Sequence, residues 1–285
     1  MSRGRIAVLM AALTLREASR RRAALALAVL TVLLLALSAW GFSRLALEVE
    51  LGGITSGQAR VAASQMLNLV MFGFSLVAAL GTAFLAGPTL AGETESGIAL
   101  AMLARPVRRA DVLLGKWLGL AVFGAGFIVL AGMAQIVVVR LTVDYWPPQP
   151  VTALALLAAQ TVALLTLAVL LSTTISPMAS GLLAVGLFGA TWVTGVVAGV
   201  GRALGNDSLA TVGDVSRVLL PTDGLWRGAM HALQDTSALT ALGEDLEGFP
   251  FLSDAPLTAA YLGWTVLWVA MVWGLAALSL SRKDL

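Results

Sequence analysis

The chain alternates long apolar segments with short polar ones along most of its length. Six of the apolar stretches contain no Asp, Glu, Lys, Arg or His. A helix needs about 20 apolar residues to cross the hydrocarbon core of a bilayer, and each stretch is long enough for one transmembrane helix. The pattern predicts an all-α polytopic membrane protein with a single domain over residues 1–285. The predicted spans are 23–43, 65–87, 117–139, 151–172, 178–200 and 257–280.

Composition supports a bilayer protein and excludes several kinds of chemistry. The sequence is 59% hydrophobic and 12% charged, and the charged share is about half that of a soluble domain. Because the chain has no cysteine and one histidine, it offers no thiol chemistry and no histidine-based zinc centre. The first span is too long for a cleaved signal peptide and is predicted to remain as an anchor.

The distribution of Lys and Arg predicts the orientation of the spans. Twelve basic residues flank the first span on its N-terminal side, join the second and third spans, or follow the sixth. Six are spread over the connections on the opposite side, where residues 201–256 carry eight acids and three arginines. Since basic residues gather in cytoplasmic loops, both termini are predicted to be cytoplasmic. The twelve are Arg3, Arg5, Arg16, Arg20, Arg21, Arg22, Arg105, Arg108, Arg109, Lys116, Arg282 and Lys283.

Two segments outside the spans carry helical patterns of their own. Residues 1–22 place apolar and basic residues at roughly helical spacing, which is typical of a helix lying in the headgroup plane; simple topogenic charge is the alternative. The external loop 201–256 predicts two short helices around a turn at Pro221, with Thr222 or Asp223 capping the second. Trp226 lies on the apolar face of that second helix. Residues 243–256 form an acidic connection that is predicted to be solvated; contact with an external partner and capping of the export path are the alternatives.

Polar residues within the spans are few and uncharged. Asn68, Gln135 and Gln160 are the candidates for a transport path, although such amides commonly hydrogen-bond between helices. Ion- and proton-coupled carriers usually keep ionisable groups at membrane depth, so their absence from these spans disfavours that class. Gly195 and Gly199 form a Gly-x-x-x-Gly pair that would allow close approach of helices at a subunit interface.

The segment 88–116 concentrates charge between the second and third spans. A helix is predicted to begin at Pro88 or Thr89, with Glu93 and Glu95 in its early turns, where carboxylates suit the positive end of the helix dipole. The Arg105-Pro106 pair would end it. A short helix joined rigidly to two spans would act as a mechanical lever; an ordinary positive-inside loop would explain the arginines but not the paired glutamates.

The Gly115-Lys116 pair in this segment resembles part of a nucleotide-binding loop but lacks the rest of the motif. A phosphate-binding loop needs a first glycine and a Ser or Thr after the lysine. Here Ala110 and Trp117 occupy those positions. The chain is therefore predicted to have no ATPase activity of its own.

The order Glu-x-Glu-Ser-Gly, apolar residues, Arg-Pro-x-x-Arg and Leu-Leu-Gly-Lys resembles the first cytoplasmic loop of type-2 ABC transporter permeases. It is most similar to the subgroup that contains the permease of the nitrous-oxide-reductase maturation transporter. The resemblance extends to the N-terminal helix, the six spans and the hairpin of helices between spans five and six. Ile98 departs from the Thr of many relatives, and residues 243–256 match no feature of the family. The matching positions are Glu93, Glu95, Ser96, Gly97, Arg105, Pro106, Arg109, Gly115 and Lys116.

The resemblance implies that the loop 88–116 contains a coupling helix that docks on a separate cytoplasmic ATPase subunit. That subunit would hold ATP and Mg²⁺, and this chain would bind no cofactor or metal. Glu93, Glu95 and Gly97 are the predicted docking residues; Arg105 and Arg109 would hold the loop at the headgroups. Ser96, Ile98, Leu100 and Pro106 complete the predicted coupling set.

The predicted function is a membrane-spanning subunit of an ATP-driven exporter in a bacterial or archaeal cytoplasmic membrane. Its expected partners are the ATPase, a second permease copy, membrane lipid and an extracytoplasmic protein, with no nucleic acid. One rival is an ATP-independent scaffold or assembly factor that uses the loop 201–256 as its binding surface. The other is an ion-coupled carrier that uses Gln135 and Gln160.

Overall fold

The computed structural model describes residues 3–20, 22–95, 108–235, 251–253 and 255–282, with the side chains of Arg3 and of 88–95 outside this set. Within these residues the chain forms nine α-helices. They are α1 (Arg3–Arg20), α2 (Arg22–Glu50), α3 (Ser56–Glu95), α4 (Arg109–Val143), α5 (Pro150–Ser172), α6 (Pro177–Ala203), α7 (Asp207–Leu219), α8 (Thr222–Leu233) and α9 (Ala259–Ser281).

Six of these helices, α2 to α6 and α9, are long and apolar enough to cross a membrane. The predicted all-α architecture with six spans is confirmed. Several helices extend well beyond the apolar stretches: α3 begins nine residues before its predicted span and α4 begins eight residues before. Polar residues at helix ends do not interrupt backbone hydrogen bonding, so hydropathy locates the apolar part of a helix better than its ends.

The spans form a bundle with two distinguishable ends. The hairpin end contains the C-termini of α2, α4 and α6 together with α7 and α8; the terminal end contains α1 and the C-terminus of α9. Helices α3 and α5 lie at the centre, since 61% of the apolar window of each is buried, against 11% for α2. The outer helices α2, α6 and α9 therefore present most of their apolar side chains to the bundle's surroundings.

Helix α1 packs against the first half of α4 through small residues. A Cβ atom on Gly115 would lie 2.7 Å from the Ala7 carbonyl oxygen, and one on Gly119 would lie 2.6 Å from the Ala11 carbonyl oxygen. These glycines let the two backbones touch. Lys116, between them, is 3% exposed, because the neighbouring helices enclose its side chain.

Because no Cβ atom fits at Gly115, the Gly115→Val substitution should push α1 away from α4. Overpacking of this kind costs about 1–3 kcal/mol, which corresponds to roughly a fivefold or greater rise in the detached population. Tryptic cleavage at Arg16 and Arg20, both exposed residues of α1, should accelerate accordingly. Gly126→Val on the same helix is the matched control, because a Cβ atom there meets nothing within 4 Å. Equal cleavage rates in the two variants would contradict the packing assignment.

Candidate functional site

The predicted docking residues lie on or beyond the end of α3. Glu93 and Glu95 are among the last described residues of this 40-residue helix, which runs continuously through Pro88. The prediction of a separate helix beginning at Pro88 or Thr89 is therefore wrong. A proline removes one helical hydrogen bond without necessarily ending a long helix held by its neighbours. Both glutamates lie far along the chain from the positive N-terminal end of α3, so the dipole does not explain their position.

Most of the predicted coupling set lies outside the described residues, and its role stays a prediction. This applies to Ser96, Gly97, Ile98, Leu100, Arg105 and Pro106. Arg109 is described and half-buried, and its Nη1 donates a hydrogen bond to the Leu280 carbonyl oxygen at 3.2 Å. A cationic side chain near the carbonyls of a helix C-terminus is stabilising. Arg109 thus joins the start of α4 to the end of α9.

At the hairpin end, one buried carboxylate joins three helices. Asp223, in the first turn of α8, has a fully buried side chain. Its Oδ2 accepts from Arg217 Nε of α7 at 2.9 Å and from Arg227 Nε of α8 at 3.0 Å. The carboxylate also lies directly against Gly195 of α6, where a Cβ atom would overlap it. The close approach that Gly195 permits is therefore used within the chain; Gly199 is half-buried one turn later, and a subunit interface at this pair stays a prediction.

The turn before α8 is built differently from the prediction. The N-cap residue of α8 is Pro221, which makes no side-chain capping bond, so capping by Thr222 or Asp223 is wrong. Both side chains are committed elsewhere: the Thr222 hydroxyl pairs with the Thr191 hydroxyl of α6 at 3.0 Å, and Asp223 pairs with its two arginines. Trp226 is 1% exposed in the core, which agrees with its place on the apolar face.

Three donors from α9 satisfy the last carbonyl groups of α7. The Tyr261 hydroxyl donates to the Arg217 oxygen at 2.9 Å, and the Nε1 atoms of Trp264 and Trp268 donate to the Val218 and Leu219 oxygens at 3.1 and 2.8 Å. The final carbonyl groups of a helix have no partner within it. This stripe of α9 residues therefore fixes the end of α7 against the bundle.

The C-terminus of α8 is held by the connection between α4 and α5. The Tyr145 hydroxyl donates to the Leu233 carbonyl oxygen at 2.8 Å, and the Gln149 backbone N–H donates to the Ala232 oxygen at 3.0 Å. Burial, and then the negative charge of Asp235, raise the pKa of Tyr145 well above its usual range. Its hydroxyl consequently remains a neutral donor, and α8 is anchored at both ends.

The three amides considered for a transport path make interhelical or long-range hydrogen bonds. Gln135 Nε2 donates to the Ser38 hydroxyl at 2.6 Å, and Gln160 Oε1 accepts from the Ser75 hydroxyl at 2.9 Å. Asn68 Nδ2 donates to the Phe251 carbonyl oxygen at 3.3 Å. All three amides are buried. These bonds match the structural alternative, and a role in transport stays a prediction.

Sequence reasoning missed the arginine pair around Asp223 and the aromatic donors of α9. Arg227 follows Asp223 by four residues, a spacing that allows an ion pair on a helix and could have identified it. Tyr261, Trp264 and Trp268 follow one face of α9 at intervals of three and four residues. Their partners on α7 are distant in the sequence, and no local pattern indicates them.

Comparison with known proteins gives one family. The sequence profile of the ABC-2 family transporter proteins matches residues 9–285, which is nearly the whole chain. No curated protein sequence matches the chain at a significant level. The family match agrees with six helices capable of crossing a membrane and with the charged segment between the second and third of them. The chain therefore belongs to the ABC-2 family of transporter permeases.

Proposed function

We propose that the chain is the membrane-spanning subunit of an ATP-driven exporter and that residues 88–116 couple it to the ATPase. A second permease copy would complete the membrane part, with two ATPase subunits holding ATP and Mg²⁺. Both termini would face the cytoplasm of a bacterial or archaeal cell, as the distribution of basic residues predicts. The predicted resemblance to the nitrous-oxide-reductase maturation subgroup leads us to propose an extracytoplasmic protein as a further partner.

The observation that carries this proposal is the continuity of α3. Glu95 and Asn68 belong to the same helix and are separated by 27 residues, or about 40 Å at the helical rise of 1.5 Å per residue. A displacement applied near Glu95 would therefore reach the hairpin end along one rigid element. After the proposed coupling segment in the chain, α4 begins at Arg109, whose side chain donates a hydrogen bond to a backbone carbonyl of α9. Closure of the ATPase subunits would thus act on α3, α4 and α9 together.

The energy source provides the direct test of this function. We expect a separate ATPase subunit to be encoded beside the gene of this chain. The chain should be reconstituted in vesicles together with that subunit. We expect transport of an apolar cargo to require ATP and to continue when ion gradients are collapsed. The several kcal/mol available from nucleotide-driven closure are enough to shift a two-state membrane protein.

The rival functions give different results in the same assay. Transport that needs an ion gradient and ignores ATP would establish a carrier that uses Gln135 and Gln160. A chain that binds an extracytoplasmic protein through 201–256, transports nothing and has no ATPase partner would be a scaffold. Either result would overturn the proposed function.

A further inference from the structure

Four aromatic rings meet at the hairpin end of the bundle. The Phe72 ring of α3 lies 4.9 Å from the Trp192 ring of α6 and 5.4 Å from the Trp226 ring of α8, measured between centroids. The fourth ring belongs to Phe251, 5.8 Å from Phe72 and 6.4 Å from Trp192. Three rings come from helices, whereas Phe251 comes from a short non-helical segment before α9. This set is called the aromatic cluster below.

The segment of Phe251 is held to the bundle by side chains that bond to its backbone. The Phe251 carbonyl oxygen accepts from Gln234 Nε2 at 2.9 Å and from Asn68 Nδ2 at 3.3 Å. The backbone N–H of Ser253 donates to Gln234 Oε1 at 3.3 Å, and the Ser253 carbonyl oxygen lies 3.1 Å from His231 Nδ1. None of these bonds belongs to a helix. Breaking these bonds would therefore leave the backbone hydrogen bonds of the surrounding described helices intact.

Several buried polar side-chain atoms of the aromatic cluster and of the neighbouring part of α3 have no hydrogen-bond partner among the described residues. Nine buried side-chain nitrogen and oxygen atoms have no hydrogen-bond partner in the described part of the chain. Five of them belong to Trp192, Trp226, Asn68 and Gln65, which lies one turn before Asn68 on α3. Buried indole N–H groups and amides normally have a partner. Their concentration here points to a ligand with hydrogen-bonding groups.

We propose that the aromatic cluster is a binding site for an uncharged aromatic compound that carries a carbonyl group, and that Phe251 is its intramolecular competitor. The ring of the ligand would take the place of the Phe251 ring between Phe72 and Trp192. Its carbonyl oxygen would accept from the indole N–H groups of Trp192 and Trp226, which have no partner within the described residues. An ionised ligand would be disfavoured, since burying a charge without a partner is costly.

The partial exposure of the aromatic cluster would allow a ligand to replace the Phe251 ring. Phe72, Trp192 and Phe251 are each half-buried, whereas Trp226 is fully buried, so the cluster extends from partly exposed rings into the core. Phe72 lies on α3, the helix that also carries Glu95. The inference deepens the proposed function, because such a ligand would be cargo at the end of α3 remote from the ATPase. Binding to the permease alone does not need the ATPase, so the two ideas can fail separately.

The test uses the purified chain in lipid nanodiscs and N-acetyl-p-benzoylphenylalaninamide, a photoactivatable compound with an aromatic ring and amide carbonyls. Cross-linked peptides are identified by mass spectrometry, with N-acetylphenylalaninamide as competitor. Removal of the competing ring in Phe251→Ala should raise specific labelling about tenfold, equivalent to about 1.4 kcal/mol. The label should fall on the peptides that contain Phe72, Trp192 and Trp226. Adding Trp192→Ala should return labelling to the wild-type level.

Two further variants decide the outcome. Phe123→Ala removes a half-buried ring from the other core cluster and should leave labelling unchanged. Gln234→Leu keeps all four rings but removes the bonds to Phe251 and Ser253, so it should raise labelling even if Phe251→Ala fails to fold. Labelling of Gln234→Leu that equals the wild type, or labelling of Phe251→Ala that equals Phe123→Ala, would overturn the proposal, as would a label spread evenly over the chain.

Discussion

Replacing Asp223 with alanine is expected to destabilise the folded chain by about 3–5 kcal/mol, the usual effect of removing one partner from a buried ion pair. The carboxylate is fully buried, and its Oδ2 accepts from Arg217 and Arg227, whose side chains are 19% and 16% exposed. Arg227 has no other carboxylate partner in the described part of the chain. Without Asp223, its guanidinium group would remain poorly solvated beside α8. Unfolding in detergent, followed by the loss of helical circular dichroism, measures the change.

Asp214 provides a matched control for this prediction. It pairs with Arg202 at 2.6 Å and with Arg217 at 3.5 Å, but its side chain is 60% exposed. Exposed ion pairs contribute about 0–1 kcal/mol, so Asp214→Ala should shift the unfolding transition little. If both alanine variants lose the same stability, the buried carboxylate does not join α6, α7 and α8 as described.

Changing Glu95 to lysine is expected to abolish co-purification with the ATPase while leaving membrane insertion intact. The residue lies at the described end of α3, next to the segment whose motif resembles the docking loop of type-2 permeases. Placing like charges together at an interface costs several kcal/mol, so binding should weaken on the order of a hundredfold. The measurement is the recovery of the ATPase on an affinity-tagged permease at physiological salt.

The matched control is Glu48→Lys, which makes the same charge reversal on an exposed residue at the opposite end of the bundle. It should recover the ATPase at the wild-type level, and both variants should fractionate with the membrane. Recovery of the ATPase by Glu95→Lys at the level of Glu48→Lys would remove Glu95 from the docking surface.

The sequence predicted the architecture well because the insertion of each span into the bilayer depends mainly on the composition of that span. A stretch such as 151–172, which contains no charged residue, partitions into the bilayer whatever its neighbours do, and helix is the structure that satisfies its backbone there. Local signals also indicated the paired short helices around Pro221. They failed at Pro88, where a proline usually marks a boundary, because α3 packs against several other helices and its backbone continues as helix to Glu95.

The long-range contacts within the candidate sites, in contrast, could not be predicted from the local sequence. Gly195 had the spacing of a helix–helix contact, but only the fold shows that Asp223 lies against it. In the sequence, Asn68 is a polar residue within an apolar span. Only the fold shows that its side chain donates a hydrogen bond to the Phe251 carbonyl oxygen, 183 residues away along the chain. Such pairings depend on the shapes of distant surfaces, which hydropathy does not record.

By itself, the sequence determined that the chain has six apolar helices, that its basic residues collect on one side, and that its Gly115-Lys116 pair lacks the rest of a nucleotide-binding motif. These properties follow from the transfer of each segment between water and lipid, which depends on local composition. The tertiary structure decided which faces meet: α1 on the glycines of α4, the α9 donors on the end of α7, and Phe251 among three helices. In lipid nearly every helix face is apolar, so apolar character does not distinguish one face from another. Small residues and hydrogen bonds between distant segments therefore determine which faces pack together.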